Sequence, residues 1–265
     1  QAEDAFVTGA PGFDAVLGAR GSQLQLVMNS VLHLDTSPGN IPYSSYVEMR
    51  DDPRVKLAVP YAVGDNYEGY RVVGTTKELL TDFEYGEGVG YTIMDGGRVF
   101  SEDKREVVVG SQVARKTGLR VGSDLHFEHG TKEDAGHDHD EDYVVVGILE
   151  PTNTPADKVL WVPLEGMYRL GGHVLRGGGE VYEPTPEEDI PDEAKEVSAV
   201  MLAFKSPQTG FQLSQQVNGG KEMTLAWPIA RVMALLFEKI GWAHKVLGLV
   251  AYLRKVVLSP NPAPV

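Results

Sequence analysis

The sequence predicts an α+β fold in which a mixed α/β unit, built from both ends of the chain, carries an inserted β-rich unit. Both ends alternate strand-like apolar runs with stretches of helical spacing, whereas the middle holds mainly strand-like runs. An acidic, proline-rich stretch separates the middle from the C-terminal end. This order indicates that the middle is inserted into a domain made from the two ends. The predicted parts are an α/β unit of residues 1–74 and 197–240, an inserted β-rich unit of residues 75–176, an acidic linker or loop of residues 177–196, and a membrane-approaching helix with a disordered tail at residues 241–265.

The first α/β segment is predicted to hold two helices followed by a hairpin. Gly18 and Gly21 form a tight turn, and the apolar residues that follow, up to residue 31, have the spacing of a short helix. Pro42 marks the start of a second helix, and Pro53 lies beyond its end. Two strands then pair through a polar, turn-forming dipeptide. These strands and their turn are residues 55–63, residues 70–74 and Asp65–Asn66.

The rest of the chain is predicted mainly from continuous apolar runs, which are typical of buried strands. In the middle, the predicted elements are strands at residues 106–110, 125–128, 143–149 and 158–162, with a helix at residues 111–117 that Gly118 ends and a second helix that starts at Pro163. After the acidic stretch, they are a strand at residues 198–204, a helix at residues 207–217 and a strand at residues 223–227.

Composition and charge exclude several classes of function. The chain has 265 residues and a formal net charge of -14, and its 24 basic residues are scattered, which argues against a nucleic-acid partner. Because there is no cysteine, the fold contains neither disulfides nor a thiolate metal site. The chain opens with Gln1 instead of Met, so we expect it to be a piece of a longer protein.

A long apolar stretch near the C terminus admits two interpretations. No run reaches the roughly 18 continuous apolar residues that a spanning helix needs. Residues 232–257 are nevertheless rich in apolar side chains, and they hold an aromatic and basic belt between Trp242 and Lys245. The stretch is therefore either a helix that approaches a membrane or an amphipathic helix that packs on a soluble domain.

Short motifs spread over nearly the whole chain carry a family resemblance, although each is weak alone. They are residues 13–22 (FDAVLGARGS), 39–43 (GNIPY), 59–65 (VPYAVGD), 72–76 (VVGTT), 107–110 (VVVG), 114–118, 122–124 (GSD) and 144–149 (VVVGIL). Together they resemble the periplasmic core domain of ABC-transporter permeases of the MacB/LolC/FtsX type.

This resemblance implies a domain between the first and second transmembrane helices of a four-helix permease in the bacterial inner membrane, facing the periplasm. It implies several partners: a cytoplasmic ATPase subunit, a second permease subunit in a dimer, a periplasmic lipoprotein or adaptor, and the membrane, reached through the flanking helices. The implied function is to couple ATP-driven helix movement to the handling of a substrate or partner protein. By this analogy the domain is not an enzyme, and no catalytic residue or cofactor is expected.

A histidine-rich stretch supports a rival hypothesis, in which the protein is a periplasmic zinc-binding module. Imidazole and carboxylate groups are donors that zinc accepts. If residues 125–129 and 143–149 pair as a hairpin, His126 and Glu128 share one strand face, and the loop histidines can fold back towards them. The alternative is a charged loop that stays in water. The candidate ligands are His126, His129, His137 and His139, and the neighbouring acids are Glu128, Glu133, Asp134, Asp138, Asp140, Glu141 and Asp142.

Other features are open to plain structural interpretations. Signatures of serine hydrolases, zinc proteases and P-loop enzymes are absent from the sequence. The glycines of residues 86–90 lack the strand before and the helix after that a phosphate-binding loop needs. The acidic stretch is either solvated or a contact for a basic partner. The apolar face of residues 13–31 is either buried core or a contact for a lipoprotein or the second subunit.

Overall fold

A computed structural model of the chain describes residues 12–34, 36–129, 142–169, 174–176, 180–182 and 190–258. The strands are β1 (Ala15–Ala19), β2 (Ile41–Pro42), β3 (Val55–Tyr67), β4 (Tyr70–Thr75), β5 (Glu84–Gly86), β6 (Val89–Gly90), β7 (Glu106–Val109), β8 (Asp124–Leu125), β9 (Glu128–His129), β10 (Tyr143–Ile148), β11 (Val159–Pro163), β12 (Val174–Arg176), β13 (Glu180–Tyr182), β14 (Glu196–Val197), β15 (Ala199–Phe204) and β16 (Met223–Ala226). The α-helices are α1 (Gln23–Ser30), α2 (Tyr43–Asp51), α3 (Glu78–Thr81), α4 (Ser111–Thr117), α5 (Leu164–Tyr168), α6 (Pro207–Gly219) and α7 (Ile229–Leu258), and the 3-10 helices are Pro155–Lys158 and Asp192–Ala194.

Ten of the described strands form one mixed sheet. Its order is β16-β1-β15-β3-β4-β11-β7-β10-β8, and β9 pairs separately with β3. Neighbours are antiparallel except for β4 with β11 and β7 with β10, which are parallel. The long strand β3 pairs with β15 through residues 55–61 and with β4 through residues 62–67. Helices on a mixed sheet confirm the predicted α+β class. The sheet runs through both predicted units, and their division into subdomains stays a prediction.

The central strands are buried on both faces, which explains their continuous apolar runs. Every residue of β15 is at most 9% exposed. Val200 and Leu202 belong to one apolar cluster, and Ala199 and Met201 belong to a second cluster on the other face, because successive side chains of a strand point in opposite directions. Tyr46 of α2 and Leu213 of α6 contribute to the first cluster. Leu26 of α1 and Ile229 of α7 contribute to the second.

The N-terminal segment contains a strand that the sequence pattern did not predict. The helix expected after the turn at Gly21 is confirmed as α1, and Ser22 caps it by accepting from the backbone N–H of Gln25. The residues before the turn form β1, which lies between β15 and β16 inside the sheet. A five-residue apolar run beside a helical pattern is too short for periodicity to distinguish strand from helix.

The predicted strand at residues 125–128 is split in the structure. Leu125 pairs with Tyr143 of β10, as the predicted hairpin requires. His129, however, pairs with Asp65 of β3 instead of continuing along β10. Phe127, which lies between the two pairings, is 1% exposed, and its ring lies 4.6 Å from the ring of Tyr143. The break therefore lies at a residue whose ring is buried against Tyr143 of β10.

Helix α7 carries the stretch for which two interpretations were open. Within the described residues, no helix combines the length and the apolar character needed to cross a membrane. The first turns of α7 are part of the core, since Ile229 and Met233 are 1% and 2% exposed. Further along, Trp242 is 68% and Leu247 is 67% exposed.

Among the described strands, β16 lies at one edge of the sheet, and a side chain hydrogen-bonds to its outer backbone groups in place of another strand. Asn218, at the end of α6, accepts a hydrogen bond from the backbone N–H of Leu225 at 2.9 Å and donates to the carbonyl of Leu225 at 3.0 Å. Its amide therefore satisfies the groups that a further strand would use. Gln23 of α1 also donates to the Leu225 carbonyl, at 3.3 Å.

Replacing Asn218 should destabilise this edge and expose it. We expect Asn218→Ala to lower the free energy of unfolding by about 1–3 kcal/mol, because the backbone N–H of Leu225 loses its partner and its carbonyl keeps only the hydrogen bond from Gln23. Urea denaturation measures this change, and analytical ultracentrifugation should show increased self-association through the open edge. The exposed Gln215→Ala, on the same helix, serves as the control and should change little. Equal stability of the two variants would contradict the role assigned to Asn218.

Candidate functional site

Residues 227–233 together with Asp14 form the root of α7, where the chain's first strand and its last helix meet. Trp227 and Pro228, joined by a cis peptide bond, lead from β16 into the helix. Ile229, Val232 and Met233 follow the i, i+3, i+4 spacing of one helical face, and all three are buried. This face turns the start of α7 into part of the core.

Helix α1 provides the opposite wall of the root. Leu26 and Val27 of α1 are 1% and 0% exposed, and they share one apolar cluster with Ile229 and Met233. Helices α1 and α7 contact each other directly. Since α1 also packs on β1 and β15, the start of α7 is connected to the centre of the sheet through α1.

Asp14 fastens both chain segments at one point. Its backbone N–H donates to the carbonyl of Leu202 at 2.8 Å, and its carboxylate accepts from the backbone N–H of Phe204 at 2.7 Å. Its own carbonyl accepts from the backbone N–H of Ile229 at 3.0 Å. Asp14 therefore sets the positions of β1 and of the first turn of α7 relative to β15.

Trp227 connects the root to α6. A Cβ atom on Gly210 would overlap the indole ring of Trp227, so only glycine allows this close approach. At the far end of α6, the Arg20 guanidinium donates to the carbonyls of Asn218, Gly220 and Met223 at 3.2–3.3 Å. Arg20 thus satisfies carbonyls at the end of the helix, and it ties α6 to the end of β1.

Lys195 joins the end of the acidic stretch to the predicted β-rich unit. Its Nζ donates to Glu165 of α5 at 2.7 Å and to Asp192 at 3.1 Å, and it lies 5.2 Å from the centre of the Tyr43 ring. Burial alone would lower the pKa of Lys195, but the hydrogen bonds to Glu165 and Asp192 outweigh burial and raise the pKa. Lys195 therefore remains a cation at neutral pH.

A second ion pair orders the loop before β7. Arg98 donates to both carboxylate oxygens of Glu106 at 2.6 Å, and the backbone N–H of Ser101 donates to the same carboxylate at 2.8 Å. The hydrogen bonds from Arg98 lower the pKa of Glu106, against the opposing effect of burial. Bidentate geometry of this kind is among the stronger arrangements of an ion pair.

The structure brings one of the predicted metal ligands into contact with an acidic side chain. The Nε2 of His126 lies 3.0 Å from the carboxylate of Asp142, and both side chains are mostly exposed. The backbone of His129 lies in β9, while His137 and His139 lie outside the described residues. The described residues contain no group of three or more side chains that could hold a metal ion.

Other predicted features take simple structural roles or stay untested. Residues 86–90 lie in the hairpin of β5 and β6, where Gly88 adopts a positive φ of 69° at the turn. Half of the acidic stretch at residues 177–196, namely residues 177–179 and 183–189, lies outside the described residues. The apolar face of residues 13–31 is largely core: Phe13, Val16 and Leu26 all belong to the cluster that includes the root.

The sequence placed Asp14 in a motif of the family resemblance, Trp227 in a strand and Val232 and Met233 in the apolar C-terminal stretch, but it did not bring them together as one site. Pro228, directly before the apolar face of α7, is a recognised signal of a helix start and could have placed the helix. Asp14, Arg20 and Lys195 offer little local signal because, apart from Asp192, their partners are backbone groups or a distant side chain. The sequence around Gly210 also gives no signal, since the requirement for glycine at this position comes from contact with Trp227.

Comparison with known proteins gives one family and a related fold. Residues 13–219 match the family model of the MacB-like periplasmic core domain. The chain is similar to the crystal structure of the periplasmic region of MacB from Actinobacillus actinomycetemcomitans, with 10% identity, a TM-score of 0.51, and coverage of 90% of this chain and 98% of that one. It also matches the extracellular domain of the noncanonic ABC-type transporter YknZ from Gram-positive bacteria, with 15% identity, a TM-score of 0.43, and coverage of 79% and 97%. None of the curated proteins compared with the sequence matches it.

Adding one methyl group at Gly210 should loosen the root. We expect Gly210→Ala to destabilise the protein by about 1–3 kcal/mol, because the new Cβ forces Trp227 or α6 to move. Alanine favours a helix over glycine by about 0.5–1 kcal/mol. The measured change in stability is therefore the cost of the overlap with Trp227 less this gain in helix propensity. Gly219→Ala, in the last turn of the same helix, meets no atom within 4 Å and is the matched control. Thermal unfolding followed by Trp fluorescence checks both variants, and equal midpoints would argue against a tight contact at Trp227.

Proposed function

The chain belongs to the MacB-like periplasmic core domain family of ABC-transporter permeases, and from this membership we propose that it couples ATP-driven movement of transmembrane helices to the handling of a substrate or partner protein outside the membrane. The observation that carries the proposal is the root of α7. There, one residue, Asp14, fastens both β1 and α7 to the interior strand β15.

A domain that passes on movement needs a stiff connection between its tether and its body. Burying side chains such as those of Ile229, Val232 and Met233 contributes about 1.5–3 kcal/mol each. The hydrogen bond between Ile229 and Asp14 contributes about 0.5–1.5 kcal/mol more to stability, and it fixes the orientation of the first turn of α7. A shift of α7 would break these contacts together, so we infer that the helix and the sheet move as one body.

The exposed apolar residues of α7 support a path of the helix towards the membrane. Trp242 and Leu247 are each about two-thirds exposed, whereas one face of the first turns, at Ile229, Val232 and Met233, is buried. Trp is enriched where helices meet the membrane interface, and basic residues such as Lys245 accompany it there. We infer that α7 connects the domain to a transmembrane helix of the inner membrane, and that the domain faces the periplasm.

The proposal places the energy source and the partners outside this chain. We infer that ATP is hydrolysed by a separate cytoplasmic ATPase subunit, and that two permease subunits form a dimer. A periplasmic lipoprotein or adaptor would bind to the domain itself. In this scheme no residue of the chain is catalytic, and function lies in how movement passes from α7 through α1 to the sheet.

The test measures movement of the domain in the complete transporter. The chain has no cysteine, so Lys116→Cys at an exposed position of α4 gives one spin label per domain. We expect the label-to-label distance in the dimer to differ between the nucleotide-free and ATP-trapped transporter, as measured by pulsed electron resonance. Met233→Ala removes buried side-chain atoms from the root and should destabilise it by about 2–5 kcal/mol. We expect this variant to reduce the ATP-dependent change in distance while ATP hydrolysis continues.

A chemically identical substitution elsewhere controls for general destabilisation. Met167 of α5 is 1% exposed and lies away from the root, in the other apolar cluster. Met167→Ala should therefore lower stability in thermal unfolding but leave the ATP-dependent distance change intact. A distance that does not respond to ATP in the unsubstituted transporter would refute the coupling function. Full transmission in Met233→Ala would remove the root from the mechanism.

A second candidate function, zinc capture, is favoured by one observation. The imidazole of His126 and the carboxylate of Asp142 lie within hydrogen-bonding distance on either side of the histidine-rich stretch. Both are donors that zinc accepts. We propose that His126 and His129, with His137 and His139, would form such a site.

Isothermal titration of the domain with zinc at neutral pH tests this candidate. We expect stoichiometric binding that disappears when His126, His129, His137 and His139 are all replaced by Ala. Binding should weaken as the pH falls, because protons compete with zinc for the imidazole nitrogens. A domain with only His173 and His244 replaced is the control and should bind as before. Absence of heat in the unsubstituted domain would eliminate the zinc hypothesis and leave the coupling function untouched.

A further inference from the structure

A small cavity lies beneath the C-terminal end of α1. Its volume is about 20 Å³, and its lining includes Ser30 and His33 on one side and Thr154, in the turn before β11, on the other. Tyr61 of β3 and Met201 of β15 complete the wall towards the sheet. The cavity therefore lies where the helix that supports the root of α7 meets the predicted β-rich unit.

Two buried polar atoms on the α1 side of the cavity have no hydrogen-bond partner among the described residues. They are the Oγ of Ser30 and the Nδ1 of His33, and Ser30 is only 2% exposed. Buried polar atoms are almost always hydrogen-bonded, to protein or to ordered water, because burial without a partner costs free energy. The hydroxyl of Thr154 is already engaged, with Thr152 and with the backbone N–H of Ala156.

His33 is held as a neutral hydrogen-bonding group. Its ring lies edge-on to Trp161 at 5.4 Å and 6.2 Å from the ring of Tyr61. Burial, together with the positive charge of Arg71, lowers the pKa of His33 to about 3. A neutral imidazole has one nitrogen that accepts and one that donates, so either tautomer allows Nδ1 to bond to a small polar molecule.

The size of the cavity selects the ligand. One water molecule needs a cavity of roughly 10–15 Å³ and two or more polar partners, so a cavity of about 20 Å³ has room for one. We propose that this cavity is a binding site for one buried water molecule, which hydrogen-bonds to Ser30 Oγ and His33 Nδ1. The water bridges the last residue of α1 to the segment that follows it and stabilises the end of the helix. This site does not depend on the proposed transport function.

The stability of Ser30→Ala tests the proposal through the sign of its effect. If water occupies the cavity, the variant breaks a satisfied hydrogen bond, and the thermal midpoint should fall by about 2–4 °C. If the Ser30 hydroxyl has no partner, its removal relieves a buried unsatisfied group, and the midpoint should stay or rise. Ser44→Ala, at an exposed position of α2, calibrates the gain in helix propensity that any Ser-to-Ala change brings.

A crystal structure that resolves ordered waters gives the direct readout. We expect one water peak within about 2.7–3.2 Å of both Ser30 Oγ and His33 Nδ1, and its loss in Ser30→Ala. In solution, magnetisation transfer from a long-lived water to the His33 ring protons should vanish in the same variant. A well-ordered cavity without such a peak, or a midpoint that does not fall in Ser30→Ala, would overturn the proposal.

Discussion

Burial of the central strands on both faces is the constraint on which the other features of the structure depend. Because β15 exposes almost no surface, both of its faces need a layer of helices. Helices α2 and α6 cover one face, and α1 and the start of α7 cover the other. The position of α7 therefore follows from the need to cover Val16, Met201 and their neighbours. Helix α7 is part of the core at Ile229 and Met233, whereas Trp242 and Leu247, further along the helix, are exposed.

The strength and the direction of the root have different physical origins. Three buried side chains, Ile229, Val232 and Met233, contribute several times the net free energy of the hydrogen bond between Ile229 and Asp14. Apolar contact is not directional, so packing alone would let α7 slide or rotate. The three hydrogen bonds of Asp14 fix which residue of β15 lies beside which turn of α7. A rigid connection needs both contributions.

The sequence predicted the fold best where local pattern and burial agree. The strands predicted at residues 143–149 and 198–204 appear as β10 and β15. The unbroken apolar run of β15 follows from its burial on both faces, whereas β10 leaves Val144 exposed. Strand β1 escaped prediction because five residues carry too little periodicity. Arg20 and Asn218 could not be recognised, since their backbone partners lie at positions that only the folded sheet brings near them. The predicted histidine ligands remain largely outside the described residues.

The residues with which a domain transmits movement are harder to recognise in a sequence than the catalytic residues of an enzyme. Catalytic sites need perturbed polar groups in a cleft, and such groups leave motifs in a sequence. The root uses ordinary core residues and one exposed aspartate, and it contacts a glycine that admits an indole ring; the positions of these residues in the sequence do not reveal that they act together. Gly210 illustrates the difference: its requirement for glycine comes from the indole of Trp227, seventeen positions away, and no residue near Gly210 in the sequence signals it. Under the proposed coupling function, stability and function would rest on the same contacts, so a variant must be compared with an equally destabilised variant elsewhere before its effect is assigned to coupling.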